Sequence, residues 1–430
     1  MRVLLISSFA EGGYFAWWLK QEGHSVDCVL KDRHYASVMG GLVEWRESAE
    51  SPESYDLVLL DMSGHGPVAD EARLVTPTLG GSTLADKLES DRVFGIEYME
   101  KCGIRVPPWE AFDNPADAIR LVKKTKKRYV YKAVGHGDCS TTYVSKSPED
   151  LAGYIGRLFE ATPSKQFILQ EFVKGVECST EMWLNRTGYY AVNHTLEAKK
   201  LLTGDLGPNC GCAGSVVWMP TLDTPLFKRG LKRSVGHLQA DGYCGMIDLN
   251  TIVTEDEVWG LEWTPRCGYD ATANLIQLLP MELGQFLFTI AAGRKLSVFT
   301  PKHRFAASTR IYIPPYPAEL PDKFYRKDVP IEGLTVESLK RFHPFDARYE
   351  EESGKFATAG VNGWVGTPLG VGDSIGEAFD SVTTMIHGLK VPDMGWRSDI
   401  AENVAKRYAE LSNNGWLRQE FGKDSLGEAA

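Results

Sequence analysis

The chain has 430 residues, more than one hydrophobic core usually serves, so its length predicts two to four packed subdomains. Apolar residues make up 43% of the sequence and charged residues 24%, which is typical of a globular protein. The net charge of -10 argues against an extended nucleic-acid surface, and no apolar run is long enough to predict a membrane span. We therefore expect a soluble, cytoplasmic protein.

The eight cysteines include no C-x-x-C pair, which favours a reducing compartment. Two of them, Cys210 and Cys212, lie in the glycine-rich segment GDLGPNCGCAG at 204–214. No Cys or His nearby in the sequence completes a zinc-ligand set, so the spacing favours a turn or a close-approach loop over a metal clip. The basic run KKTKKR at 123–128 ends a predicted helix, where lysines suit the helix dipole and the solvent.

Short apolar segments alternate with helical patterns at the start of the chain. Strands are predicted at 3–7, 26–30 and 56–61, with a helix at 14–21 after the first strand. This alternation predicts a parallel sheet covered on both faces. The glycines of EGG at 11–13 sit where a doubly wound fold binds phosphate at a helix N-terminus. The full G-x-G-x-x-G pattern is absent, which argues against a dinucleotide site.

The middle of the chain reads as strands with intervening helices. An amphipathic helix is predicted between Asp91 and Pro107, with Gly103 as its stop. A hairpin is predicted around the turn GHGD at 135–138. The remaining predicted strands lie at 129–134, 141–144, 167–173, 177–185, 243–253 and 258–265, and helices at 148–160 and 225–242. The tail after about residue 300 carries RIYIPPYP, GVNGWVGTPLGVG and a helix in EAFDSVTTMIHGLK.

Two carboxylates are placed at the same end of adjacent antiparallel strands if the TEDE turn is a short hairpin. These are Asp248 in MIDLN and Glu262 in GLEWTPR. Such a pair can share a magnesium ion, which prefers oxygen ligands and keeps several waters. The same residues also fit ordinary acids at a strand edge, and their spacing alone does not decide between the two interpretations.

Three cations lie on three separate predicted elements, as converging phosphate ligands usually do. They are Arg92, Lys132 and Lys199. Each fits a solvated surface residue when taken alone. Lys132 is the exception, because it follows a mostly apolar strand and directly precedes a glycine turn. That position favours a functional lysine.

The order of these motifs resembles the ATP-grasp family, and within it the phosphoribosylamine-glycine ligases. The family's GDTGPNTGGMGAY is mirrored by GDLGPNCGCAGSVVW, its EEFLDGEEAS by QEFVKGVECS, and its LEGSK by LESDR. Its EFNxRFGDPE is mirrored by EWTPRCGYDA, and its C-terminal pattern by PLGVGDSIGEAF followed by WRSDIAE. The resemblance covers nearly the whole chain, and several matches in the right order are stronger than any one of them.

The resemblance implies an α/β fold with α+β character in the ATP-grasp part. It implies an N-terminal parallel-sheet domain, central ATP-grasp domains and a mixed C-terminal domain. The implied boundaries are 1–90 for the doubly wound N-terminal domain, 91–128 for a helical linker that opens the ATP-grasp region, 129–185 for its small subdomain, 186–299 for its large subdomain with the metal site, and 300–430 for the C-terminal domain.

The resemblance also implies roles for individual residues. ATP would be held at its phosphates by Arg92, Lys132 and Lys199, at its adenine edge by the backbone of Gln170, Glu171, Phe172 and Val173, and at its ribose by Glu177. Magnesium or manganese would be held by Asp248, Glu262 and Thr264, which replaces the family's Asn. Substrates would meet Gly12, Gly13, Asp205, Gly207, Pro208, Asn209, Gly211 and Arg266. Arg266 would stabilise a tetrahedral intermediate, and Lys199 the transferred phosphate.

The implied reaction joins a carboxylate to an amine through an acyl phosphate, with release of ADP and phosphate. The implied substrates are a small amino acid and an amine. No association with a membrane is implied, and the protein is expected to be a monomer or a homodimer. A second interpretation is an ATP-grasp ligase that uses another amine, such as a modified nucleotide. A third is a nucleotide-binding protein without turnover, against which the joint presence of Lys132, Asp248, Glu262 and Arg266 argues.

The sequence departs from the family on the substrate side. The family's GGREHA is here GGYFAW, so Tyr14, Phe15 and Ala16 replace an Arg, a Glu and a His. The acids of the family's GDPE become Tyr269 and Ala271, with Asp270 shifted by one position. Aromatic side chains at 14, 15 and 269 would suit a flat acceptor by stacking. We therefore expect that the acceptor amine differs from 5-phosphoribosylamine, or that 5-phosphoribosylamine is used much less efficiently.

Overall fold

The computed structural model describes residues 1–134, 142–161 and 166–419 of the chain. The predicted GHGD turn at 135–138 lies outside the described residues. In the part of the chain that the structure covers, no helix combines the length and the apolarity that crossing a bilayer requires.

A five-stranded parallel sheet opens the fold, in the order β3-β2-β1-β4-β5. Its strand β1 is a continuous apolar run with Val3 to Ile6 buried, as expected for a parallel strand covered on both faces. Its elements are β1 Arg2–Ser7, α1 Gly13–Gln21, β2 Ser25–Leu30, β3 Trp45–Arg46, β4 Leu57–Leu60, α2 Gly66–Arg73 and β5 Thr78–Leu79. The predicted parallel sheet is confirmed.

Two helices connect this sheet to a four-stranded antiparallel sheet with the order β6-β9-β7-β8. The first residue after the second helix and its cap is Gly103, whose φ of +73° ends the helix as predicted. The elements are α3 Thr83–Ser90, α4 Arg92–Lys101, β6 Trp109–Phe112, α5 Pro115–Thr125, β7 Tyr129–Ala133, β8 Thr142–Val144, α6 Pro148–Ala161 and β9 Phe167–Glu171.

A ten-stranded sheet forms the body of the molecule. Its path begins β14-β13-β10-β11-β12, and all of these strands pair antiparallel. The elements of this half are β10 Val176–Asn185, β11 Gly188–Leu202, β12 Leu206–Trp218, α7 Pro225–Arg229, α8 Val235–Ala240, β13 Gly245–Val253, β14 Val258–Thr264, α9 Tyr269–Leu278 and α10 Leu283–Ala291.

The C-terminal part of the chain extends the same sheet. The path continues through β15, β21, β16 and β22, with β18 pairing on β21, while β17, β20 and β19 form a small separate sheet. The elements are β15 Phe305–Thr309, β16 Ile311–Tyr312, β17 Pro330–Ile331, β18 Phe342–Pro344, β19 Arg348–Glu350, β20 Lys355–Ala357, β21 Trp364–Gly372, α11 Ile375–Gly388, β22 Gly395–Trp396 and α12 Ile400–Asn413.

One large hydrophobic core joins the first sheet to the ten-stranded sheet. It contains Leu5 and Trp17 from the N-terminal part together with Trp183 and Val216 from the large sheet. The four-stranded sheet has its own core around Phe167. Burial therefore fixes the N-terminal sheet on the large sheet, while the four-stranded sheet is a separately packed unit beside them.

Strand pairing bears on the predicted boundaries of the ATP-grasp subdomains. Strand β6 pairs with β9, so the four-stranded sheet begins before residue 129. Strand β10 pairs with β11 and β13, so it belongs to the large sheet although it was assigned to the small subdomain at 129–185. The precise domain boundaries stay a prediction.

Candidate active site

One face of the large sheet carries a group of polar side chains. In antiparallel strands, directly opposed residues share a face. Glu181 on β10 lies opposite Asp248 on β13, which in turn lies opposite Thr264 on β14. Asn250 lies opposite Glu262. Because side chains two residues apart on one strand also share a face, all five point to the same side of the sheet.

The three predicted cations all lie near Glu262 and influence its charge. Arg92 Nη1 at the start of α4 lies 3.5 Å from Glu262 Oε2. Lys132 on β7 donates from Nζ to the carbonyl oxygen of Leu261 at 3.4 Å. Burial opposes ionisation of Glu262, but Lys132, Lys199 and Arg92 outweigh it and lower the pKa of this carboxyl. All three cations therefore lie close enough to Glu262 to affect its charge, and their role as phosphate ligands stays a prediction.

Lys132 is almost fully buried, with 5% of its surface exposed. Burial lowers the pKa of its ammonium group to about 8, although the nearby Glu262 acts in the opposite direction. A buried lysine near the end of β7, beside an acid and Arg92, is well placed to bind an anion, because such a ligand would compensate the two cations together.

Lys199 on β11 completes the cationic side of the site. Its Nζ lies 2.8 Å from Glu197 Oε2 and 3.5 Å from Glu177 Oε1. Burial opposes its charge, but Glu197, Glu177 and Glu262 together raise its pKa well above the usual value. Glu177, the predicted ribose ligand, also accepts a hydrogen bond from Asn250 Nδ2 at 3.1 Å.

A buried pair of acids lies next to these charges. Glu181 has 2% of its surface exposed and accepts hydrogen bonds from Asn193 Nδ2 at 2.8 Å and from Thr195 Oγ1 at 3.0 Å. Burial raises the pKa of Glu181 to about 7. Burial also raises the pKa of Asp248, and the neighbouring Glu181 and Glu197 add to the effect. This face therefore concentrates carboxyl groups whose ionised forms a bound cation would stabilise.

The oxygen atoms on this face fit a divalent cation. Asp248 Oδ1 and Asn250 Oδ1 are buried without a hydrogen-bond partner among the described residues. In the ranges that the structure covers, no three His, Cys, Asp or Glu side chains form a metal site by themselves. Magnesium suits such an incomplete oxygen set, because it usually keeps waters and takes phosphate oxygens. We assign Asp248, Asn250 and Glu262 as its candidate ligands, with Thr264 opposite Asp248.

The predicted adenine edge at 170–173 lies partly inside the four-stranded sheet. The amide of Glu171 donates to the carbonyl of Pro108 at 2.8 Å, and that of Phe172 to the carbonyl of Arg128 at 2.9 Å. These two amides are therefore already engaged. Gln170 lies within β9, whereas Val173 lies beyond the end of that strand. The backbone groups left to bind adenine are therefore the carbonyls of this segment and the backbone of Val173.

The segment 204–214 is not the loop that its glycines and proline predicted. It belongs mostly to strand β12, which pairs with β11 around a short turn. The turn residue Gly204 has a φ of +75°, and its amide donates to Asp399 Oδ2 at 2.9 Å. Asp205 Oδ1 lies 2.8 Å from Arg397 Nη2. The loop prediction was wrong because glycine and proline are compatible with a bulged, exposed hairpin end.

The remaining predicted residues of the glycine-rich segment differ in how far they lie from the body of the sheet. Gly207, Pro208 and Asn209 lie at its exposed outer end, whereas Gly211 lies nearer the sheet. The carbonyl of Cys210 accepts from Arg310 Nη1 at 3.0 Å. A substrate role for these positions, and for Asp205, stays a prediction.

Arg266 follows the end of β14 and reaches toward the N-terminal sheet. Its Nε donates to Glu89 Oε1 at 2.9 Å. Arg266 and Asp61 line one cavity of about 20 Å³, together with Phe15. The loop after β14 thus connects the polar face of the large sheet to the carboxyl edge of the parallel sheet.

The amides of Gly12 and Gly13 were predicted to face a phosphate, but both donate to acceptors within the protein. Gly12 donates to Asp61 Oδ2 at 2.6 Å, and Gly13 donates to the carbonyl of Ala10 at 3.1 Å. The sequence did not indicate this use of the Gly12 amide, because Asp61 comes from a distant strand end. As the structure stands, neither amide is available to a ligand.

Tyr14 does not contribute to the predicted stacking surface. Tyr14 has 2% of its surface exposed, its hydroxyl donates to the carbonyl of Leu339 at 3.0 Å, and its ring stacks on His343 at 4.6 Å. Phe15 is partly buried beside the cavity that Asp61 lines. The side chain of Tyr269 lies outside what the structure describes. The prediction that Tyr14 stacks on an acceptor is therefore wrong, because its ring is already packed in the core.

Asp270, the acid shifted by one position, is also occupied. Its Oδ2 accepts from Arg310 Nη2 at 2.7 Å and from Nε at 3.1 Å, and its Oδ1 accepts from Thr367 Oγ1 at 3.2 Å. This buried ion pair links α9 to β15 and β21. Asp270 holds the fold together there, and Ala271 beside it is buried.

Sequence reasoning missed three acidic or amide side chains of the site, namely Glu181, Glu197 and Asn250. A signal was present for the two acids, because every second residue is polar from Glu177 to Glu181 and from Asn193 to Lys199. Period-two polarity inside long strands indicates a sheet with one polar face. That face would ordinarily be read as solvent-facing, and only the fold shows that Glu181 is buried.

Part of the chain that carries these residues is similar to a known protein family. Residues 90–272 match the family described as phosphoribosylglycinamide synthetase, ATP-grasp (A) domain. This segment is similar to the ATP-grasp domain of that family. It spans α4, the four-stranded sheet and the strands up to β14, and so contains Arg92, Lys132, Lys199, Asp248 and Glu262.

The similarity extends beyond the ATP-grasp domain. A phosphoribosylamine-glycine ligase of Thermotoga maritima is 25% identical over 324 residues, which cover 73% of this chain and 78% of that protein. One of Caldanaerobacter subterraneus is 24% identical over 347 residues, covering 78% of this chain and 81% of that protein. The crystal structure of the Thermotoga maritima ligase matches with a TM-score of 0.72 at 19% identity, covering 93% of this chain and 100% of that one. The last comparison shows a shared fold.

Proposed function

We propose that this protein is an ATP-dependent ligase that joins a carboxylate to an amine through an acyl phosphate, releasing ADP and phosphate. The observation that carries the proposal is the meeting of Arg92, Lys132 and Lys199 around Glu262 on the polar face of the large sheet. The cations come from α4, β7 and β11, which are three separate parts of the ATP-grasp domain. The names of the relatives support the same reaction class.

The first step in this mechanism is attack by a carboxylate oxygen of the amino acid on the γ-phosphorus of ATP. A new oxygen-phosphorus bond forms while the bond from phosphorus to the β,γ-bridging oxygen breaks, and ADP leaves with that electron pair. Lys132 and Arg92 hold the phosphate oxygens and offset their charge. Both cations are fixed beforehand by burial and by Glu262, so little reorganisation is needed when the charge shifts.

The second step is attack by the amine nitrogen on the acyl carbon. The carbon-oxygen bond to phosphate breaks, phosphate departs with the electron pair, and the nitrogen loses a proton to give the amide. Arg266 lies at the end of β14 and bonds to Glu89, which orients its guanidinium. We assign to Arg266 the stabilisation of the oxyanion that forms at the acyl carbon, and to Lys199 the departing phosphate.

Magnesium or manganese held by Asp248, Asn250 and Glu262 would supply further positive charge to the phosphates. The protein prepares this position by burying Asp248 Oδ1 and Asn250 Oδ1 without partners among the described residues. A nucleotide-binding protein without turnover would use the same contacts but release no ADP, so the assay below separates the two functions.

The proposal is tested by ADP release from the full-length protein against a matrix of amino acids, with hydroxylamine as a small universal acceptor. A hydroxamate of one amino acid, formed with one ADP per product and dependent on divalent metal, is expected. A Glu262→Gln variant should form none, while Glu255→Gln, an exposed neutral control on the β13–β14 turn, should match the wild type. Absence of ADP release with every amino acid would contradict the proposed function.

A further inference from the structure

The N-terminus of α1 is built around a carboxylate of the protein itself. Asp61 follows β4, and its Oδ2 accepts hydrogen bonds from the Gly12 amide at 2.6 Å and from Ser7 Oγ at 2.6 Å. Backbone amides at a helix N-terminus, aided by a hydroxyl, are the donors that usually bind a phosphate or another anion. Here those donors are already taken by Asp61, so the position holds a fixed negative charge.

The fit around this carboxylate is tight. A Cβ added to Gly12 would lie 2.6 Å from Asp61 Oδ2, which is closer than such atoms approach. Only glycine at position 12 therefore lets the carboxylate reach the helix end. An added phosphate would have to displace Asp61 from both donors and would also meet its charge.

The second oxygen of Asp61 has a different environment. Asp61 has 3% of its surface exposed, and its Oδ1 is buried without a hydrogen-bond partner among the described residues. A buried carboxylate oxygen left without a donor is costly, so it marks a place where a donor is expected to bind. The residue lines two small cavities, the larger of which measures about 20 Å³.

The size and the walls of these cavities limit the group that can enter. A volume of about 20 Å³ accommodates roughly one water-sized group, such as an amino or hydroxyl group, and is too small for a phosphate. Most of the lining is apolar, including Phe15, Leu5 and Trp183. The positively charged Arg266 lies on the same lining, which places Asp61 beside the group that we assign to the acyl-transfer step.

We propose that Asp61 determines the acceptor class of this ligase: the acceptor is an amine without a phosphate at this position, and one of its N–H or O–H groups donates to Asp61 Oδ1. This inference rests on the proposed function. Asp61 acts by binding the acceptor and by excluding a phosphate, and it takes no part in the phosphoryl transfer at Lys132 and Glu262.

The first test separates acceptor choice from acyl-phosphate formation. The full-length protein is assayed with matched pairs of amines, each with and without a phosphate ester, alongside hydroxylamine. Hydroxamate formation reports the proposed function independently of the acceptor. Given hydroxamate, we expect the unphosphorylated member of at least one pair to give the higher kcat/KM. Preference for the phosphorylated members, or failure of every unphosphorylated amine while hydroxamate forms, would overturn the inference.

The second test uses Asp61→Asn, which preserves one oxygen for Gly12 and Ser7 but presents an NH₂ donor where Oδ1 stood. We expect KM for the preferred amine to rise 10- to 100-fold, with the rate of hydroxamate formation and the melting temperature close to wild type. Asp56→Asn, an exposed residue of the same sheet, is the control. A merely structural role would instead lower the melting temperature and the hydroxamate rate and leave KM unchanged.

The third test asks whether Asp61 excludes phosphate. Calorimetric titration with ribose 5-phosphate should show no saturable binding to the wild type and measurable binding to Asp61→Ala, in which the Gly12 amide and Ser7 hydroxyl become available. Binding by the wild type that Asp61→Ala does not strengthen would contradict the exclusion. If neither protein binds ribose 5-phosphate, Asp61 is not the group that excludes phosphate.

Discussion

Arg92 Nη1 lies 3.5 Å from Glu262 Oε2, which ties the first residue of α4 to β14, an edge strand of the large sheet. Lys132 from the four-stranded sheet reaches the same strand through the carbonyl of Leu261. The site therefore depends on three elements that are distant in the sequence. A ligand that bridges these cations would also hold the two sheets together.

Glu262→Gln is expected to abolish ligase turnover while ADP still binds. The substitution removes the negative charge that pairs with Arg92 and Lys132 and removes one proposed metal ligand, so loss of kcat by at least about 100-fold is expected. Steady-state ADP release and calorimetric titration with ADP measure the two effects separately. Wild-type kcat in this variant at ordinary magnesium would remove Glu262 from the mechanism.

Lys132→Met should weaken ATP use, because the buried ammonium is expected to contact phosphate oxygens. Loss of a charged hydrogen bond costs about 1.5–3 kcal/mol, so kcat/KM for ATP should fall roughly 10- to 150-fold. Lys124→Met, which changes an exposed lysine of α5, serves as the matched control. An equal effect of the two substitutions on kcat/KM would refute a phosphate contact by Lys132.

Gly12→Ala should destabilise the N-terminal sheet. The added methyl group would lie 2.6 Å from Asp61 Oδ2, so the bond from Gly12 to Asp61 must break or the helix must shift. We expect a loss of about 1–3 kcal/mol in the free energy of unfolding measured in urea. Gly156→Ala within α6, where a Cβ meets nothing within 4 Å, should leave that free energy unchanged or slightly raised. Equal free energies of unfolding for Gly12→Ala and Gly156→Ala would show that the contact between Gly12 and Asp61 tolerates a methyl group.

The stability of the protein should fall as the pH drops below about 6.5, partly through His194. This ring is buried between Thr180 Oγ1 and Thr224 Oγ1, each at 2.9 Å, and burial lowers its pKa to about 3. The unfolded state then binds the extra proton between pH 6.5 and 3, so His194 contributes up to about 1.4 kcal/mol of destabilisation per pH unit there.

Urea unfolding of the wild type and of His194→Gln at pH 7.5, 6.5 and 5.5 measures this contribution. The difference between the two proteins isolates His194 from other titrating groups, such as Asp61, whose raised pKa of about 6 has the opposite dependence on pH. The slope of the unfolding free energy against pH should be smaller in the variant. Identical slopes would mean that His194 is not protonated on unfolding.

Much of the fold could be predicted from local patterns. The apolar run at 3–7 and the helix stop at Gly103 correspond directly to β1 and to the end of α4. The long strands β11 and β12 were missed, and in β12 the glycines and the proline interrupt the alternation that marks a strand. These strands are held by pairing with distant neighbours, which local propensity does not report.

Residues of the candidate site could be predicted only where a single charged residue interrupts an apolar segment of the sequence. Lys132, Asp248 and Glu262 were identified because each interrupts an apolar run near a turn. The contact between Gly12 and Asp61 was not predictable, because it joins the start of α1 to the end of β4, 49 residues away in the sequence. The burial of Tyr14 against His343 likewise depends on a C-terminal strand that the N-terminal motif does not reveal.

Transfer of carboxylate oxygen to phosphate tests the proposed reaction most directly. The amino acid that supports hydroxamate formation is labelled with ¹⁸O in its carboxylate and incubated with ATP and acceptor, and the phosphate and nucleotide are analysed by mass. The acyl-phosphate route predicts ADP and one ¹⁸O atom in each phosphate released. Formation of AMP that carries the ¹⁸O, or release of unlabelled phosphate, would contradict it.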